Sequence, residues 1–91
     1  MATPHITEIA TLKAEIAAQL GYDPQTPPVN VDEKQAAVAL GVRPTTLAVW
    51  RSTGRYNLPF LKVGRSVKYR LSDLAAFLAL RTANHTGEVR A

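Results

Sequence analysis

Cysteine is missing from this 91-residue chain, and methionine and tryptophan occur once each. Without cysteine there is no disulfide framework and no thiolate ligand for a metal, which fits a reducing compartment. Long apolar runs are also missing: the longest stretches of apolar or glycine residues, Ala36 to Val42 and Leu74 to Leu80, are seven residues each. A bilayer span needs roughly 18–20 such residues, so no membrane segment is expected. Met1-Ala2-Thr3-Pro4-His5 has neither the basic start nor the apolar stretch of a secretory signal, and the expected location is cytoplasmic. The two histidines, His5 and His85, have no second ligand at metal-binding spacing, and Asp23, Asp32 and Asp73 read as turn or cap residues. No convergent set of titratable groups can be assembled. The chain is therefore expected to be no enzyme, with no cofactor, metal site or small-molecule ligand.

What is present argues for one small folded domain: 46% of residues are hydrophobic and 20% charged. The formal net charge of +4 hides a segregation. From Lys34 through Arg70 there are eight cations (Lys34, Arg43, Arg51, Arg55, Lys62, Arg65, Lys68, Arg70) and no acid, whereas the rest of the chain carries three cations against seven acids. A cationic surface without interspersed carboxylates repels itself, and a polyanion whose counterions are released on contact relieves that repulsion. Nucleic acid is the leading partner on this ground, and a basic face kept for solubility is the competing reading.

Thr3-Pro4 reads as a helix start, a hydroxyl cap followed by proline at the first helical position. The stripe Ile6, Ile9, Leu12, Ile16 and Leu20 then marks one helical face, and Gly21 ends it. Residues 1–22 thus form an amphipathic helix that either folds back on its own domain or pairs with a second copy. Residues 23–30, with Pro24, Pro27 and Pro28, read as a connector. A second helix opens at Asp32, which caps it in a box with Gln35, and Glu33 in its first turn suits the helix dipole. Ala36, Ala37 and Leu40 form its inner stripe, and Gly41 supplies a positive-φ turn. Pro44 restarts helix, with Leu47 and Trp50 inward beside Leu40 and Val42, and Gly54 ends it. Over Phe60 to Arg70 the period changes to two, which predicts a hairpin. A three-residue loop, Gly64 to Ser66, pairs Val63 with Val67 and puts Leu61, Val63, Val67 and Tyr69 inward, with Lys62, Lys68 and Arg70 outward. The last helix is expected from an N-cap at Ser72, burying Leu74, Phe77 and Leu78 and ending near Arg81. Residues 31–82 make the core domain and 83–91 a flexible tail.

The run Ala36-Ala37…Leu40-Gly41-Val42, Thr46-Leu47…Trp50, Gly54, Phe60 to Arg70, and Ser72-Asp73-Leu74…Phe77-Leu78 resembles the small winged helix-turn-helix domains related to MerR, in the excisionase/AlpA-like group. The resemblance covers Val31 to Arg81, 51 of the 91 residues. It implies a mainly α fold with a small β-hairpin, to which this chain adds its amino-terminal amphipathic helix. It also implies sequence-specific binding of double-stranded DNA, with a recognition helix in the major groove and a basic wing on phosphates or the neighbouring minor groove. The reading helix would comprise Arg43, Thr45, Thr46, Ala48, Val49, Arg51 and Ser52, and the wing Lys62, Arg65, Ser66, Lys68 and Arg70, with Lys34 and Arg55 as further phosphate contacts. Arg43 stands where members often place a small polar N-cap, and Val49 where many carry a polar or basic residue. Members regulate transcription or direct recombination of mobile elements. The expected role is a transcriptional regulator of a mobile element or its host. A recombination directionality factor that bends DNA is the alternative within that class, and a protein-interaction adaptor using the basic face is the alternative outside it. A homodimer through the amino-terminal helix is an open possibility.

Overall fold

A computed structural model describes the backbone over residues 6–85 and the side chains over residues 8–81. The elements in chain order are α1 (Ile6–Gln19), β1 (Asn30–Asp32), α2 (Glu33–Leu40), α3 (Pro44–Thr53), a short turn over Arg55–Asn57, β2 (Leu61–Val63), β3 (Ser66–Arg70) and α4 (Leu71–His85). The fold is mainly helical, with one antiparallel sheet in the order β1-β3-β2. The expected helix start at Thr3 and Pro4, His5 and residues 86–91 of the expected tail lie outside the described residues. No helix among the described residues is long and apolar enough to cross a membrane.

α1 packs along α4, and Ile16 and Ala17 are buried in the same core as Leu47, Tyr69, Leu71 and Leu74. Ile9, Leu12 and Leu20 are partly buried against that core. α1 thus packs against its own chain. The helix ends where Gly21 and Tyr22 donate to the carbonyls of Ala18 and Ala17.

A short strand at the boundary of the connector and the core domain has no counterpart in the sequence pattern. Asn30–Asp32 pairs with Arg70, Tyr69 and Lys68 as a third strand, with Val31 buried opposite Tyr69. Three residues are too few to display an alternating pattern, and the partner strand lies far along the chain. α2 then begins as expected: the Asp32 carboxylate accepts from the Gln35 N–H at 2.8 Å, and the Gln35 side chain accepts from the Asp32 N–H at 3.1 Å. Ala36 and Ala37 are buried, and Gly41 stands at φ 73 with its N–H donating to the last turn of α2. L-residues other than glycine rarely adopt that conformation, so Gly41 is what lets α3 leave α2 within three residues. Arg43 precedes Pro44 without capping the helix through its side chain.

Leu47 is fully buried, and Trp50 is half-buried, packing against the core from its rim. Its indole meets Tyr56 edge-on at 4.7 Å and Phe77 at 6.2 Å. Arg81 lies over the Tyr56 and Phe77 rings at 4.4 and 4.5 Å. Tyr56 and Asn57 take φ of 66 and 53. The left-handed region is costly for a tyrosine, on the order of 1–3 kcal/mol, and this ring-and-guanidinium packing offsets it.

The hairpin register differs from the expected one. Val63 pairs with Ser66, Lys62 with Val67 and Leu61 with Lys68, so the loop is the two residues Gly64 and Arg65. Gly64 has φ 61, matching the two-residue hairpin loop that wants glycine at its first central position. A slip of one residue exchanges faces. Leu61 and Val63, expected inward, are 36% and 60% exposed, while Lys62 shares the face of Val67 and Tyr69 instead of standing outward with Lys68 and Arg70. The hairpin tip extends past the core, so turn chemistry rather than burial sets the register there. α4 follows β3 without a break: Leu71 is buried, and its N–H donates to the Val29 carbonyl. Ser72 therefore stands in the first turn of α4 rather than before it. The helix also passes its expected end near Arg81, because no glycine or proline interrupts it before His85.

Leu74→Ala, a truncation in the fully buried core, is expected to lower the unfolding free energy by about 2–5 kcal/mol. Val38→Ala, on the exposed side of α2, is expected to change it by no more than about 0.5 kcal/mol. Urea denaturation followed by Trp50 fluorescence measures both.

Candidate nucleic-acid interface

The outer side of α3 carries Arg43, Thr45, Val49 and Ser52, all exposed, with Val49 at 56%. Thr46 and Ala48 are half-buried at its margins. The hydroxyls in the last turn are engaged locally: Ser52 and Thr53 both donate to the Val49 carbonyl, at 3.2 and 2.8 Å. Ser52 thus keeps only its lone pairs for an external donor. Thr46, Val49, Trp50, Thr53 and Arg55 line a shallow depression beside this surface.

A second concavity lies between the start of α2, the last turn of α3 and the hairpin. Lys34, Arg51, Arg65, Ser66 and Lys68 line it together with Asp32, Glu33 and Val67. Five of the expected contact residues are therefore gathered in one groove. The others are dispersed. Arg43 stands at the head of α3, Arg55 lies 5.1 Å from the Tyr56 ring, and Lys62 is on the opposite face of the hairpin from Lys68. Arg70 is 3.5 Å from Asp73 in an exposed ion pair.

The stretch without acids in sequence is not without acids in space. Glu33, one residue before it, accepts from Arg51 Nε at 3.0 Å and from Arg51 Nη2 at 3.1 Å. The Tyr69 hydroxyl donates to the same carboxylate at 2.9 Å. The Arg51 and Glu33 side chains are 25% and 22% exposed, so this two-pronged pair is partly desolvated and stronger than an open surface ion pair. The Arg51 hydrogen bonds, with a smaller contribution from Tyr69, hold the Glu33 carboxyl below its ordinary range despite partial burial. The hydrogen bond to Glu33 raises Arg51 further. Burial, then the bond to the Glu33 carboxylate, pushes Tyr69 up to about 12. Sequence reasoning took Glu33 only as a first-turn acid and Arg51 as a free flanking cation. Nothing in the local pattern links residues 18 positions apart on different helices. Arg81, which packs on Tyr56 and Phe77, was missed for the same reason.

Among the described residues no group of three or more His, Cys, Asp and Glu side chains is placed to hold a metal ion. No protein-family model, curated protein or solved structure matches the chain.

The Glu33 carboxyl titrates lower in the folded chain than its ordinary 4.5. Its contribution to stability is thus complete above that pH and is lost as pH falls through the folded value. Tyr69 titrates higher than its ordinary 10.0, at about 12, so its contribution is complete below pH 10 and is lost between the two values. Chemical denaturation across pH should show a Glu33→Gln variant with a shallower acid limb, and a Tyr69→Phe variant without the phenol-linked part of the alkaline limb.

Proposed function

We propose that this chain binds double-stranded DNA sequence-specifically as a winged helix-turn-helix protein, regulating transcription for a mobile genetic element or its host. α3 would enter the major groove and the β2–β3 hairpin would lie along the backbone. The observation that carries this reading is the sharing of one helix by two surfaces. The exposed side of α3, set off from α2 by the Gly41 turn, belongs to the same helix that supplies Arg51 to a groove lined by Lys34, Arg65 and Lys68. A helix with its side chains is about 10–12 Å across, which fits a major groove about 12 Å wide. Thr45 offers a hydroxyl to base edges or phosphate, and Val49 an apolar contact for thymine methyl groups. Arg43, exposed and free of capping duty, suits a phosphate at the helix start.

The two classes of contact answer differently to salt. Arg65→Ala and Lys68→Ala should weaken binding to all duplexes alike and flatten the slope of log affinity against log salt by about 0.9 per lost phosphate contact. Thr45→Ala and Val49→Ala should leave that slope in place and change base preference by about 1–3 kcal/mol per affected pair. Fluorescence anisotropy with random and selected duplexes measures both. A wild-type protein that is not retained on any duplex at about 0.1 M salt overturns the reading and favours the adaptor. Repression of a promoter without any change in excision at attachment sites separates the regulator from a recombination factor.

A further inference from the structure

Building on the DNA-binding reading, we infer that Glu33 is a specificity-determining residue that masks Arg51 from the phosphate backbone and so restrains sequence-independent binding. Arg51 belongs by position to the proposed contact surface: it lies on α3 and lines the same groove as Lys34, Arg65 and Lys68. Its guanidinium is nonetheless turned to Glu33, which takes both Nε and Nη2, while its Cζ lies 5.9 Å from the centre of the Phe60 ring. The Tyr69 hydroxyl donates to Oε2, the same oxygen that takes Arg51 Nε, so Glu33 is fixed by three donors from two other elements.

The groove therefore has four cations and two acids, Asp32 and Glu33, around one concavity. Asp32 is committed to capping α2, whereas Glu33 is committed to the one arginine that α3 contributes. Cations on phosphates strengthen binding to every duplex equally, whereas contacts from the outer side of α3 strengthen binding only to matching ones. Withholding one guanidinium from phosphate thus lowers random-sequence affinity while leaving base contacts intact. The ratio between specific and random binding rises. Were the pair merely a structural tie, its removal would change stability and leave the number of phosphate contacts unaltered.

The test is salt-dependent anisotropy of the full chain on a random duplex and on a selected one, with thermal melts of each variant. Glu33→Gln keeps the size of the side chain and a carbonyl for Tyr69, but removes the charge that holds Arg51. The mask requires this variant to bind random duplex about tenfold more tightly at about 0.1 M salt, with the slope steeper by about one unit. The double variant Glu33→Gln/Arg51→Gln must return to the wild-type slope, which identifies Arg51 as the source of the gain. Arg51→Gln alone supplies an independent arm that does not depend on Glu33→Gln folding well: a masked arginine predicts an unchanged slope, an arginine already on phosphate a loss of about one unit. Wild-type binding combined with an unchanged Glu33→Gln slope, a gain that persists in the double variant, or a lost unit in Arg51→Gln overturns the mask and leaves the DNA-binding reading standing. No retention of any variant on either duplex overturns that reading, and the mask with it.

Discussion

Tyr69 is among the largest fully buried side chains of this small core, and its phenol must find an acceptor where little water reaches. That acceptor is Glu33, a charged group which in turn requires a counter-charge. Arg51 supplies it with two bonds. One buried hydroxyl thus joins three elements: β3 donates, the first turn of α2 accepts, and the last turn of α3 neutralises. With neither disulfide nor metal among the described residues to fix the angle between helices and sheet, this joint and the small-residue contact of Ala36 and Ala37 beneath it set where α3 lies relative to the hairpin.

The same joint changes the meaning of the charge pattern. Counting along the chain, Lys34 to Arg70 is an uninterrupted cationic segment. In space the segment is edited from its border: Glu33 removes Arg51 from the free set, and Asp73, just past the other end, lies beside Arg70. What is left open around the groove is Lys34, Arg65 and Lys68, drawn from a helix start and a hairpin rather than from α3 itself. Under the proposed reading, the phosphate-directed charge and the base-directed face would be carried by different elements.

How much of this could be read in the sequence follows from how local each determinant is. The Asp32–Gln35 box, Pro44 at the head of α3, and the glycines after α2 and α3 act within a few residues, and each stands where the pattern placed it. The hairpin itself was legible from its period of two, but not its register. Register turned on whether Ser66 belongs to the loop or the strand, and the exposed tip gives burial no vote. Long-range determinants were not legible at all. β1 shows no pattern of its own and exists because Val31 covers Tyr69. Trp50 packs against the core as its spacing suggests, but the rim cluster it forms with Tyr56, Phe77 and Arg81 was not legible.

α1 packs along α4 of the same chain, with Ile16 and Ala17 in the common core and Ile9, Leu12 and Leu20 partly buried against it. Under the proposed reading, one copy of this module would bury about 600–1,000 Å² on DNA. A reading helix whose central outward residue is Val49 rather than a hydrogen-bonding side chain would have few means of raising its affinity for the right sequence. Lowering its affinity for wrong ones would be the route that remains, and a carboxylate placed inside a basic groove would then be a functional advantage rather than a defect.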